Sequence, residues 1–235
     1  MRKIQLKQVL RNKRFVLFTI ILPIGWYIFF YHLQKGVSPS ILLGIAVFIG
    51  IIGNSLATFS KRIASDIGFY SFESHFTSYS VKNYLLDQSI VQLILNSLIF
   101  LAVLVVAVLG FHFPVTTSLL LQFFLLSLMG IYFSVIGFVL GVRVDAKTID
   151  TIGFPIIILA AMTIIPFDTL GASGGFMDLV GKLQRVFPGY YYTKLIQNLT
   201  EKQTIDVTQL ALFVAVFGMN LLFFYLLVPK GKMGN

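Results

Sequence analysis

The polar residues of this chain are few, and their types narrow what they can do. Asn54, Ser55 and Thr58 fall in one apolar stretch, Gln92, Asn96 and Ser97 in another, Gln122 in a third and Asn220 in the last. These side chains donate and accept hydrogen bonds but carry no titratable proton. They suit either a polar path through an apolar protein or bonds between neighbouring helices, and the second use is the commoner. Asn54, Thr58, Gln92, Asn96 and Asn220 are the candidates for a substrate path. Proton chemistry has less to draw on. His32, His75 and His112 are far apart in sequence and fall in loops or at the ends of apolar runs, a poor basis for a metal site. Neither Gly-x-x-x-x-Gly-Lys-Ser/Thr nor His-Glu-x-x-His occurs, and with no cysteine there is no thiolate, disulfide or thiolate metal site. The expectation is a chain without catalytic residues, metal ligands or a cofactor of its own.

One polar stretch is long enough to need an explanation. "SDIGFYSFESHFTSYSVKNYLLDQ", Ser65 to Gln88, separates two apolar runs. In it Phe69, Phe72, Phe76 and Tyr79 are spaced three and four apart, which gathers four aromatics on one helical face. Asp66, Glu73 and Lys82 stay available to water or a partner. Such a face makes a strong protein-docking element, because aromatic anchors carry much of an interface's energy. It equally suits a helix resting on lipid headgroups or on its own bundle.

The elements that must hold these residues follow from composition. Of 235 residues, 57% are hydrophobic and 11% charged, with a mean hydropathy of +0.89, against about 25% charged in a soluble domain. Apolar runs recur at close to the roughly 17–25 residues a helix needs to cross hydrocarbon. The fold class is therefore all-α: a polytopic membrane protein of one domain, 1–235, with no internal repeat. Six spans are expected, at Phe15–Tyr31, Ile41–Phe59, Ser89–Phe111, Ser118–Val142, Thr151–Phe167 and Val207–Val228. None contains Asp, Glu, Lys or Arg. An ion- or proton-coupled carrier usually keeps such a group in the membrane, so self-contained secondary transport loses weight. Gly130, Ser134, Gly137 and Gly141 give the fourth span a small-residue stripe suited to close helix packing.

The net charge of +9 is explained by orientation rather than nucleic acid, because the basic residues flank spans. With the N-terminus in the cytoplasm, thirteen basic residues lie inside and five outside, namely Lys35, Lys182, Arg185, Lys194 and Lys202. Both termini are then cytoplasmic, and 60–88 is a cytoplasmic loop. Residues 1–14 repeat Lys3, Lys7 and Arg11 opposite Leu6, Val9 and Leu10, as in an interfacial helix. In the outer region 168–206, Phe176, Leu179, Val180, Leu183, Val186 and Phe187 share one face of an amphipathic helix, with Asp178, Lys182 and Arg185 opposite. Pro188-Gly189 breaks it before a second short helix.

This order of elements resembles the type-2 ATP-binding-cassette exporter permeases. "LKQVLRNKRFVLFTIILPIGWYIFF" looks like that family's first helix and span, interrupted by proline. "DTIGFPIIILAAMTIIPF" with "LQRVFPGYYYTKLIQNL" looks like its fifth span and outer helices. The likeness covers nearly the whole chain and rests on the order of degenerate motifs. It implies that about 66–86 forms a coupling helix docking on a separate nucleotide-binding ATPase subunit, through Asp66, Phe69, Phe72, Glu73, Phe76 and Tyr79. ATP and Mg would be bound by that partner, with no cofactor in this chain. It also implies a second permease half, as a homo- or heterodimer, in the cell membrane of a bacterium. The family often has an acidic pair before a glycine and a later Thr-Pro in this loop, whereas here only Asp66 precedes Gly68 and "TSYS" lacks proline. Other readings open at this stage are a self-contained channel or carrier, an accessory or immunity-type membrane protein and, with least support, an intramembrane enzyme.

Overall fold

The structure, a computed structural model, describes residues 11, 16–33, 36–73, 81–165, 167, 175–202 and 204–227. Among these, all regular structure is helical. The expected interfacial helix at 1–14 lies outside the described residues apart from Arg11.

Proline and polar caps set many of the helix boundaries. Pro23 offers no N–H to the carbonyl of Thr19, and the chain just before it is wound as a wider π-turn, Leu17–Ile21, leading into α1, Leu22–Leu33. Ser38 caps α2, Pro39–Ile52, by accepting from the Ser40 amide at 3.3 Å, with Pro39 where its missing N–H costs nothing. The helix then widens into a π-segment, Gly53–Phe59, and runs straight on as α3, Ser60–Glu73. α4 covers Val81–Phe111, α5 Ser118–Arg143 and α6 Ala146–Met162. α7, Gly175–Gln184, and α8, Pro188–Lys202, precede α9, Val207–Leu226. Asp145 caps α6 through the Thr148 amide, and Asp206 caps α9 through the amides of Thr208 and Gln209.

Four stretches are long and apolar enough to cross a membrane: Pro39–Asp66, Asp87–Phe111, Ser118–Arg143 and Val207–Leu226. The other two expected spans are shorter helices. The apolar part of the first is Thr19–Leu33, and α6 stops at Met162 instead of reaching Phe167. A helix of 17 residues rises about 25 Å, a little under the hydrocarbon thickness of about 30 Å. The second span also departs from expectation, since its helix does not end at Phe59. The first 14 residues of the expected 60–88 loop continue the span as α3, and α4 begins at Val81 instead of Ser89.

α2 is the hub. Hydrophobic on all sides, it packs against α1, α4, α5, α6 and α8. Leu42, Leu43, Ala46, Val47, Phe48, Ile51 and Ile52 are each no more than 1% exposed. The small-residue stripe of α5 does what its spacing predicts. A Cβ at Gly137 would strike the Ser55 carbonyl, one at Gly141 would lie 2.5 Å from the Ser60 carbonyl, and one at Gly130 would lie 2.5 Å from the Asn96 amide nitrogen. α5 therefore approaches the π-segment and α3 to backbone contact.

Candidate functional site

The polar residues converge where the π-segment crosses α4 and α5. α4 carries Gln88, Gln92 and Asn96 at four-residue spacing, so they form one row along the helix. Gln88 and Gln92 are 1% exposed and Asn96 4%; opposite them, Asn54 is 1% and Ser55 0% exposed. Three consecutive residues of the π-segment, Asn54, Ser55 and Leu56, are buried, because this stretch, like α2 before it, is enclosed by other helices. Asn54 Nδ2 donates to Asn96 Oδ1 at 3.0 Å. Gln92 Nε2 donates to Ser55 Oγ at 3.1 Å. The Ser55 and Ser134 hydroxyls are 3.4 Å apart, and Ser134 Oγ donates to the Gly130 carbonyl at 2.6 Å. Since Ser134 gives its proton to Gly130, the direction is fixed: Gln92 donates to Ser55, and Ser55 donates to Ser134.

The cluster is not satisfied. Asn54 Oδ1, Gln88 Oε1, Gln92 Oε1 and Asn96 Nδ2 are buried without a partner, and each such atom costs about 1–3 kcal/mol. The arrangement is thus rich in unused acceptors, and none of its six polar side chains is ionisable.

Of the five proposed path residues, Asn54, Gln92 and Asn96 meet here. No hydrogen bond joins the half-buried Thr58 to them. Asn220 is elsewhere, donating to the carbonyls of Val186 at 3.0 Å and Val216 at 2.9 Å and accepting from the Tyr132 hydroxyl at 3.4 Å. Helix-to-helix bonding is therefore the role seen for four of the five. Gln88 and Ser134 belong to the cluster without having been singled out as path residues; the i, i+4, i+8 spacing of Gln88, Gln92 and Asn96 was the available signal for Gln88.

Asn220 also fixes how α7 and α8 sit. It lies 13 residues into α9, about 20 Å along the axis, so the turn joining α7 to α8 sits against α9 at that depth. From there α8 climbs back to the end shared by Ser40 and Gln122, where Gln122 Nε2 donates to the Ser40 carbonyl at 2.7 Å and to the Tyr192 hydroxyl at 3.2 Å. The amphipathic face expected on α7 is only partly buried. Val180 is covered, but Leu179, Leu183 and Val186 are 55%, 57% and 60% exposed. Gln184 is buried in their place, with Nε2 donating to the carbonyls of Met162 at 2.6 Å and Ile165 at 2.8 Å. The reason is chemical: the Met162 carbonyl at the end of α6 has no intrahelical donor, the Ile165 carbonyl lies just beyond the helix, and in an apolar surround that need outweighs covering another leucine.

At the opposite end, Lys61 on α3 pairs with Asp150 on α6 at 2.5 Å. Arg143 Nε and Nη2 both donate to the Leu227 carbonyl, at 2.8 and 2.5 Å, closing the C-terminus of α9. Of the expected docking residues, Asp66 is half-buried on α3. Phe69, Phe72 and Glu73 belong to the same helix, with side chains outside the described set; Phe76 and Tyr79 lie outside the described residues altogether. No group of three His, Cys, Asp or Glu able to hold a metal occurs among the described residues.

No protein family, curated protein or solved structure matches the chain.

Proposed function

We propose that this chain is the membrane half of an ATP-driven exporter, with six spans, cytoplasmic termini, a second permease half beside it and a separate ATPase subunit beneath 66–86. The observation that carries the reading is the order of elements. α3 runs past the end of a span into the docking stretch as far as Glu73, and the helix pair α7 and α8 packs back against the bundle just before the last span. The absence of ionisable residues from the expected spans supports it as well, because the energy source must then lie outside the chain. In this reading the partner's ATP-driven closure favours one arrangement of the helices. Its contact energy with α3 must differ between the two states, since equal binding shifts nothing.

The test is co-purification with an ATPase encoded beside this chain. Charge reversal at Asp66 or Glu73, or alanine at Phe72 and Phe76, is expected to weaken the association while membrane insertion is unchanged. Undiminished co-purification in all of these variants sinks the docking assignment. Solute transport by the purified chain without nucleotide favours a self-contained carrier instead.

A further inference from the structure

A cavity of 240 Å³ lies between α4 and α5, lined by Phe59, Ser89, Leu93, Ser134, Val135 and Phe138 among others. Its rim is open sideways: Ser89 is exposed, and Leu93, Val135 and Phe138 are half-buried. Both flanking helices are of membrane-spanning length and composition, so the opening faces lipid. An apolar cavity of about 150 Å³ holds benzene, whereas drug-sized ligands take roughly 300–1,000 Å³. This volume suits a length of one aliphatic chain and is small for a multi-ring compound.

The wall also selects a headgroup. Ser134 Oγ spends its proton on the Gly130 carbonyl and one lone pair on Ser55, which leaves one lone pair at the cavity wall. Behind it stands Gln92, whose Oε1 is buried and unpartnered. No lining residue is charged. The polar groups of the lining are the Ser134 acceptor and the Ser89 hydroxyl, and an uncharged wall with an open acceptor favours a guest that donates a hydrogen bond and disfavours a carboxylate or phosphate.

We infer that this niche binds a neutral, hydroxyl-bearing single-chain lipid, such as a long-chain alcohol, whose O–H donates to Ser134 and whose chain runs along Leu93 and Val135. The inference does not depend on the permease reading, because it concerns one chain in a bilayer without nucleotide or partner.

The test is photolabelling of the full chain in phosphatidylcholine vesicles with a diazirine-bearing hexadecanol, followed by mapping of the adducts. Labelling is expected to concentrate on Leu93, Ile131, Val135 and Phe138, and to be competed by hexadecanol but not by hexadecane at the same mole fraction. Val135→Phe, which fills the cavity, should reduce the labelling about tenfold. Leu93→Phe does so from the facing helix should the first variant fail to fold. Ser134→Ala should retain labelling but erase the preference for the alcohol over the alkane. Labelling spread evenly over lipid-facing residues such as Leu120 and Leu222, labelling untouched by either filling variant, or equal competition by hexadecane overturns the proposal.

Discussion

Asn220, two thirds of the way along α9, donates to the main-chain oxygen of Val186 at 3.0 Å, and this bond helps hold the turn between α7 and α8 against α9. In an apolar surround the Val186 carbonyl has no water to fall back on. Asn220→Leu is expected to destabilise the purified protein by about 1–3 kcal/mol, read as a lower Tm in detergent. An unchanged Tm means that the turn is held by packing alone.

The glycines of α5 and α9 make a paired prediction. Gly137→Ala and Gly141→Ala force α5 away from the Ser55 and Ser60 carbonyls and should cost about 1–3 kcal/mol each. An added Cβ at Gly218 on α9 meets nothing within 4 Å. Gly218→Ala should therefore be neutral or stabilising by up to about 1 kcal/mol, through helix propensity. Chemical unfolding of the three variants separates the two classes, and equal losses at all three contradict the close approach of α5.

A double-mutant cycle addresses the Asn54–Asn96 bond. With both residues changed to leucine, singly and together, the coupling energy should fall near 0.6 kcal/mol and no higher than about 1.7 kcal/mol, the span found for such bonds in a membrane. A value of zero means that the two amides do not bond each other.

Asp145 provides a pH signature outside the spans. The Thr148 hydroxyl donates to its carboxylate at 2.7 Å and the Thr148 amide at 2.8 Å, and these bonds hold its pKa below the ordinary carboxylate value. A lowered pKa in the folded state stabilises above the unfolded value of about 3.9, and that contribution is lost as pH falls through the folded value. The Tm difference between the wild-type chain and Asp145→Asn should thus be constant near neutrality and shrink in acid. A difference that grows on acidification has the wrong sign.

Much of this architecture is legible in the sequence because apolar length and small-residue spacing act locally. The second, third, fourth and last expected spans correspond to helices able to cross a membrane, and the stripe marks real close approach, of Gly137 and Gly141 to backbone and of Gly130 to the Asn96 side chain. Other features depend on partners distant in sequence. Hydropathy places the end of the second span at Phe59, while the helix itself continues as α3, held by Gly141 against Ser60 and by Lys61 against Asp150. The burial of Gln184 in place of Leu183 is set by carbonyls at Met162 and Ile165, which no periodicity on α7 reveals. The π-segment at 53–59 leaves little trace in residue pattern, since the extra residue per turn is visible only through what Asn54 and Ser55 reach.

The enclosure of α2 by helices that follow it in the chain has a consequence for biogenesis. During synthesis α2 and the π-segment that continues it leave the insertion machinery before α4, α5, α6 and α8 exist, so Asn54 and Ser55 first meet lipid or a chaperone. Chains truncated before α4 should accordingly be captured by membrane quality control and degraded, whereas those extending through α5 should persist, because only then do the groups that receive Asn54 and Ser55 exist.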